Sequence, residues 1–139
     1  MKIAAATMVF NERIFLPIWL DHYGAQLGYE NLFIIDDGST DGSTSDKRIV
    51  NLVKKNRNLL DENDRVNLVS SFHEKLLDYY DIVIYTDSDE IIVVDPIVQM
   101  SLRDYLVMSD FTYKTVTGLN VLAKFTDGRQ LKTALVLLL

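Results

Sequence analysis

The chain has 139 residues, of which 48% are hydrophobic and 24% are charged, so we expect one globular domain around a single core. Its net charge of -6 argues against a general nucleic-acid binder, because such a protein needs a basic surface that displaces counterions from phosphates. It contains no cysteine, which excludes disulfides, thiolate metal sites and cysteine nucleophiles and is compatible with a reducing cytoplasm.

Both ends of the chain are apolar, yet neither predicts a membrane span. The first ten residues are followed by Asn11-Glu12-Arg13 instead of a small-residue cleavage site, so we interpret them as a strand. No run reaches the about 20 apolar residues that a span needs. The run at 134–139 has no polar cap, which suggests a fragment. In a longer protein this run would pack against an absent element, and here we expect it to be buried against the domain itself or against another copy of the chain. We expect a cytoplasmic location, with a membrane-peripheral one as the alternative.

The first half of the chain predicts alternating strands and helices. Apolar side chains at three- and four-residue spacing predict a helix that Asn11 caps and Gly28 ends. Its buried face comprises Leu16, Trp19, Leu20, Tyr23 and Leu27. The predicted elements are a strand at 2–10, this helix to about residue 27, a strand at 31–36 and a basic helix at 46–58. The basic helix is expected to turn Ile49, Val50, Val53 and Leu59 inward and Lys47, Lys54, Lys55 and Arg57 outward.

The second half continues the alternation. The predicted elements are a strand at 65–70, a short helix near 72–80, strands at 81–86 and 91–94, a helix near 100–108 and a strand near 112–124. Asp95-Pro96 ends the strand before it, because proline lacks an amide donor and restricts the preceding residue. Strands separated by helical segments imply right-handed crossovers, so the sequence predicts an α/β fold with a largely parallel central sheet.

Two acidic clusters follow apolar strands. Asp36 and Asp37 come directly after the apolar run Leu32-Phe33-Ile34-Ile35, and Asp87-Ser88-Asp89-Glu90 follows the strand at 81–86. In open α/β sheets ligands bind beyond the carboxyl ends of the strands, so both clusters are expected at one crevice. Carboxylates that converge there repel one another unless a cation or hydrogen-bond donors neutralise them, and oxygen ligands of this kind suit Mg²⁺ or Mn²⁺.

Several segments in order resemble the glycosyltransferase family 2 type of GT-A domain, over about residues 1–125. The matching segments are Met8-Val9-Phe10-Asn11-Glu12, Leu16-Pro17-Ile18-Trp19-Leu20-Asp21-His22-Tyr23, Leu27-Gly28, Ile34-Ile35-Asp36-Asp37-Gly38-Ser39-Thr40-Asp41-Gly42-Ser43 and Tyr85-Thr86-Asp87-Ser88-Asp89-Glu90. An Asp-x-Asp motif alone would be weak, but each segment lies at the strand-to-loop junction where the family has it. The resemblance implies a three-layer, Rossmann-like sandwich that forms a single donor-binding domain over 1–139.

The resemblance also implies roles for individual residues. Phe10, Asn11 and Glu12 would line the nucleotide base and ribose. Asp37, with Asp36 beside it, would accept hydrogen bonds from a uracil-like base. Asp87, Ser88 and Asp89 match the family's metal turn. Asp87, with Ser88 next to it, would face the ribose or a metal-bound water, and Asp89 would be the direct ligand of Mg²⁺ or Mn²⁺.

The implied reaction is transfer of a sugar from a nucleotide-diphospho-sugar, with UDP- or dTDP-sugars favoured, to the hydroxyl of an unknown saccharide or lipid acceptor. Inverting members need a carboxylate general base in the second half of the domain. None of the carboxylates after Glu90 matches it, so we expect this chain to lack the acceptor-binding half, to bind a donor and to transfer it poorly. No basic residue for the pyrophosphate stands out, and His73 and Lys75 are the nearest candidates.

Simpler interpretations remain open at this point. Asp36-Asp37-Gly38-Ser39 has the composition of a turn or helix cap, and Asp87-Ser88-Asp89-Glu90 that of a solvated hairpin turn. His22 and Trp19 have the spacing of packing residues. Two alternative functions also remain: another Mg²⁺-dependent α/β enzyme that handles phosphates, and a non-catalytic donor-binding fragment.

Overall fold

A computed structural model describes residues 1–55 and 62–109, together with the backbone of 117–123 and 132–138. The chain divides into two compact units, Met1–Ser88 and Asp89–Leu139. The expectation of a single domain stays a prediction. The described elements are helices α1 (Phe15–Leu27), α2 (Glu62–Leu77) and α3 (Leu102–Met108) and strands β1 (Ile3–Val9), β2 (Leu32–Asp36), β3 (Asn51–Lys54), β4 (Ile82–Tyr85), β5 (Glu90–Val93), β6 (Thr117–Ala123) and β7 (Lys132–Leu138).

The first unit is built on a parallel sheet. Its four strands lie in the order β3-β2-β1-β4, and every neighbouring pair runs parallel. The predicted α/β class with a largely parallel sheet is therefore confirmed for this unit, and the architecture is compatible with a Rossmann-like sandwich. Strands β1, β2 and β4 are short and rich in β-branched or small apolar residues, as is typical of strands covered on both faces.

The two long helices lie on opposite faces of this sheet. Trp19 of α1 donates a hydrogen bond to Thr86, while Phe72 of α2 makes an edge-to-face contact with Phe33 of β2. The register pairs Phe33 with Ala6 and Ala6 with Tyr85, so Phe33 and Tyr85 share a face and Thr86 points to the other. The predicted apolar face of α1 is confirmed, since all five of its residues are buried.

The start of α1 differs from the prediction that Asn11 caps it. The helix begins at Phe15. The Phe15 amide donates a hydrogen bond to the Glu12 carboxylate at 3.2 Å and not to Asn11. Asn11 adopts a left-handed backbone conformation with φ of 53° and binds a different loop. The end of the helix is confirmed: it stops at Leu27, and Gly28 has φ of 87°, which glycine tolerates.

The predicted basic helix at 46–58 is wrong as far as the structure describes it. Residues 43–45 form one short 3-10 turn and β3 follows at Asn51–Lys54. Asp46 stops helix formation, because its carboxylate accepts from both the backbone amide and the guanidinium of Arg48. The Arg48 hydrogen bond holds the pKa of Asp46 below its ordinary value. Val50 and Val53, predicted inward, are exposed, and Leu59 lies outside the described residues.

The predicted strand at 65–70 is also wrong, because that segment belongs to α2. The short helix predicted near 72–80 is the second half of the same helix, which ends at Leu77. Val66, Val69, Phe72 and Leu76 recur at three- and four-residue spacing, which is the period of a helix. Residues 65–70 alone, with Val66, Leu68 and Val69 as the apolar positions, fit either a strand or a helix.

The second unit has a mixed sheet in the order β5-β7-β6. The strands predicted at 91–94 and near 112–124 and the helix near 100–108 are confirmed within the described residues as β5, β6 and α3, as is the break at Asp95-Pro96. The C-terminal apolar run, expected to be buried against the domain itself or against another copy, is the middle strand β7, which pairs parallel with β5 and antiparallel with β6. Self-association through this run stays a prediction. No described helix is long and apolar enough to cross a membrane.

Candidate ligand site at the carboxyl edge of the parallel sheet

The strand order creates a topological switch in the first unit. From β1 the chain proceeds outward through β2 to β3, and then returns to place β4 on the other side of β1. Connections that leave two neighbouring strands in opposite directions open a crevice at the carboxyl ends of those strands, where ligands of α/β proteins bind. The residues that follow the four strands at this edge are Phe10, Asp37, Lys55 and Thr86.

Asp36 and Asp37 have different environments, although they are adjacent. The Asp36 side chain is 3% exposed. One of its oxygens accepts from the Ser39 amide at 2.7 Å and the other from the Thr44 hydroxyl at 3.0 Å. Both oxygens of Asp36 are therefore used to hold its own loop. This is the turn-forming role that the simpler interpretation of the motif predicts.

Asp37 is fixed by its backbone but not by its carboxylate. Its amide donates to the carbonyl of Val9 at 2.9 Å, which extends the β1–β2 ladder by one residue. Its Oδ1 atom is buried and has no hydrogen-bond partner in the part of the chain that the structure describes. A buried carboxylate oxygen without a donor costs free energy, and a ligand N–H group would remove that cost.

Lys55 lies at the candidate site, although it was predicted to point outward from the basic helix at 46–58. Its amide donates to the carbonyl of Asp36 at 2.9 Å, directly after β3. Strand alternation puts the side chains of Asp37 and Lys55 on the same face of the sheet, because the register pairs Asp36 with Lys54. The Lys55 Nζ atom is buried and, within the described segments, makes no hydrogen bond. Two adjacent strands thus present one unsatisfied acceptor and one unsatisfied donor.

Asn11 joins the loops that follow β1 and β2. Its side-chain carbonyl accepts hydrogen bonds from the amides of Thr40 at 2.8 Å and Asp41 at 3.3 Å, and its own amide donates to the Ser39 hydroxyl at 3.0 Å. The hydroxyl of Ser43 donates to Asp41 and lowers the pKa of that carboxyl. These bonds fix the shape of the crevice wall between the two strands.

Arg65 is the second site residue missed from the sequence. It lies in the first turns of α2, and its guanidinium is 3.7 Å from the Asp87 carboxylate. It borders a cavity of about 120 Å³ lined by Arg65, Val66, Val69, Ser70 and Tyr85. The segment was predicted to be a strand, so nothing in the sequence pattern alone placed this cation beside the acidic turn.

His73 and Lys75, the cations considered for a pyrophosphate, lie elsewhere. The His73 ring is 3.1 Å from the carbonyl of Val83, within β4. Lys75 is in the last turn of α2, at the opposite edge of the sheet. Phe10 is 40% exposed at the crevice, whereas the carboxylate of Glu12 contacts the start of α1.

The acidic turn after β4 is anchored by a buried hydrogen bond from α1. Trp19 donates its indole N–H to the hydroxyl of Thr86 at 2.9 Å, and both side chains are buried. Ser88 is buried as well, while the Asp87 side chain is 47% exposed. The first unit ends at Ser88, and Asp89 begins the second unit directly before β5.

Carboxylates of this turn have the donor chemistry of a Mg²⁺ or Mn²⁺ site. Among the residues that the structure describes, no group of three or more histidine and acidic side chains is arranged to hold a metal ion. At phosphate sites Mg²⁺ takes one or two protein carboxylates and completes its shell with water and phosphate oxygens. Within the first unit Asp87 supplies one such carboxylate, and the assignment of Asp89, which begins the second unit, as a ligand stays a prediction.

Comparisons of the chain with protein-family models, with curated proteins and with solved structures found no match.

Proposed function

We propose that the first unit is the donor-binding half of a GT-A-like glycosyltransferase and that its carboxyl edge binds a nucleotide-diphospho-sugar. The observation that carries this proposal is the buried, unpartnered Oδ1 atom of Asp37 at the edge of the sheet where α/β proteins bind ligands. The strand order and the Asp-Ser-Asp-Glu turn after β4 support the same assignment.

The pair of Asp37 and Lys55 favours a base with an N–H group next to a carbonyl. Uracil and thymine offer N3–H to the acceptor Asp37 and a neighbouring ring carbonyl to the donor Lys55. Cytosine has no hydrogen on N3, so in the same pose its N3 lone pair would face the Asp37 carboxylate, at a cost of about 1–3 kcal/mol. We therefore favour UDP- or dTDP-sugars over CDP-sugars.

The diphosphate would lie at the acidic turn. Asp87 and Asp89 would hold Mg²⁺ or Mn²⁺, and Arg65 supplies a cation beside Asp87. When bound, the divalent ion withdraws the charge that develops on the nucleoside diphosphate as the glycosidic bond breaks. In this arrangement Arg65 would hold the Asp87 carboxylate in place until the ion binds.

We further propose that this chain binds the donor and transfers the sugar poorly. Of the carboxylates after Glu90, Asp95 accepts from the Ile97 amide and Asp104 from the Ser101 hydroxyl, so each caps a local turn or helix. Asp110 and Asp127 lie outside the described residues. The alternative of a non-catalytic donor-binding fragment makes the same prediction for binding.

Calorimetric titration of the full chain with UDP and UDP-sugars, with and without Mn²⁺, tests this function. We expect Mn²⁺-dependent binding, and we expect Asp89→Asn to weaken it at least about tenfold, because the amide keeps the shape but removes the charge that holds the cation. The control is Asp78→Asn, an exposed carboxylate after α2, which should change nothing. Equal Mn²⁺-dependent affinity in Asp89→Asn and the original chain would contradict the metal assignment.

A further inference from the structure

The first unit has a larger cleft at the amino-terminal edge of its sheet, away from the proposed donor site. This cleft has a volume of about 540 Å³, which is in the range of pockets that take small organic ligands. It lies where β1 and β2 begin and α2 ends, and its lining residues are Lys2, Asn31, Phe33, Lys75, Leu76, Tyr79 and Tyr80.

One wall of the cleft is aromatic and held in place. The rings of Phe33 and Tyr80 meet edge to face with centroids 5.8 Å apart. The hydroxyl of Tyr80 donates to the Asn31 side chain at 3.2 Å, and Asn31 in turn donates to the carbonyl of Leu27 at 2.7 Å. Tyr79 is different, since 74% of its surface is exposed to solvent. A planar ring stacking on Tyr79 would bury apolar area that the free protein leaves in water.

The same cleft carries positive charge on an acidic protein. Lys2 and Lys75 line it, and within the described part of the chain neither ammonium is in an ion pair. The carboxylates of Glu74, Asp78 and Asp81, which are close to cleft residues in sequence, do not line the cleft, and Asp81 accepts a hydrogen bond from the backbone amide of Lys2 at 2.6 Å. An anion in the cleft would therefore meet two ammonium groups without displacing an existing partner.

We propose that this cleft binds a small planar aromatic anion, with its ring against Tyr79 and its acidic group between Lys2 and Lys75. The cleft and the donor site lie at opposite edges of the same sheet, so the two ligands bind independently. The ring would pack against the aromatic wall. The negative charge would pair with Lys2 and Lys75, which have no ion-pair partner among the described residues.

Calorimetric titration of the full chain with 2-naphthoate tests the proposal, with 2-naphthamide as a neutral ligand of nearly the same shape. We expect 2-naphthoate to bind about fivefold more tightly than the amide, because two ion pairs at an exposed site together have about this effect, and Lys75→Met to reduce that preference because it leaves only the pair with Lys2. Tyr79→Ala should weaken both ligands, since both stack on the ring. Lys47→Met, an exposed lysine outside the cleft, is the matched control.

Three results would overturn the proposal. The first is equal affinity for 2-naphthoate and 2-naphthamide, or no binding of either. The second is an equal loss in Lys75→Met and Lys47→Met. The third is displacement of 2-naphthoate by UDP with Mn²⁺, which would place both ligands in one site. Lys75 and Tyr79 are exposed, so neither variant removes a buried contact.

Discussion

Replacing Asp37 with alanine is expected to remove nucleotide binding without destabilising the protein. The variant lacks the carboxylate that accepts the base N–H, so affinity for UDP in the presence of Mn²⁺ should fall by about a hundredfold. Stability should be unchanged or higher, because the Oδ1 atom is buried without a hydrogen bond, and its removal ends a desolvation cost. Calorimetry with UDP and CDP, together with urea unfolding, measures both effects.

Asp36→Ala is the matched variant with the opposite expectation for folding. Its carboxylate accepts from the Ser39 amide and the Thr44 hydroxyl, so its loss should lower the free energy of unfolding by about 2–3 kcal/mol. A destabilised Asp37→Ala and an unaffected Asp36→Ala would reverse the roles assigned to the pair. Retention of the preference for UDP over CDP in Asp37→Ala would reject its contact with the base.

Trp19 is expected to give the largest single loss of stability. Its side chain is fully buried between α1 and the sheet, and its ring lies 4.8 Å from that of Tyr23. Trp19→Ala should lower the free energy of unfolding by about 3–5 kcal/mol, because it leaves a cavity and removes the donor to Thr86. Ile18→Ala, at the neighbouring position that is 51% exposed, should cost no more than about 0.5 kcal/mol.

The hydrogen bond can be separated from the packing by a double-mutant cycle. Trp19→Phe keeps most of the ring, and Thr86→Val removes the acceptor while keeping the branched shape. Their coupling in urea unfolding should be about 1 kcal/mol. Additive effects would show that the 2.9 Å contact contributes nothing to the anchoring of the acidic turn.

The sequence predicts the central part of the first unit because its signals there are local. β1, β2 and β4 are short apolar runs that end at Asn11, at Asp36-Asp37 and at Thr86-Asp87, so the position of each loop follows from the strand before it. The contact between Asn11 and Thr40 joins residues 29 apart, and no spacing rule reveals it.

The elements that were not predicted from the sequence lack a strong hydrophobic periodicity. β3 is a polar edge strand whose Val53 is 45% exposed, so its four residues carry no buried alternation. Without β3, Lys55 could not be placed next to Asp37. The strand predicted at 65–70 is wrong because the three apolar residues in this short segment fit a helix equally well, and without the helix Arg65 could not be placed at the site. β7 was missed because a leucine run does not distinguish a central strand from an unpaired tail.

The central claim, that the carboxyl edge of the parallel sheet binds a nucleoside diphosphate, is tested most directly by amide chemical shifts. Titrating the isotopically labelled chain with UDP and Mg²⁺, a diamagnetic ion, should shift the amides of Asn11, Asp37, Lys55 and Asp87 together and leave Tyr79 unmoved. Saturating UDP that shifts none of these four amides, or that shifts Tyr79 instead, would contradict the claim.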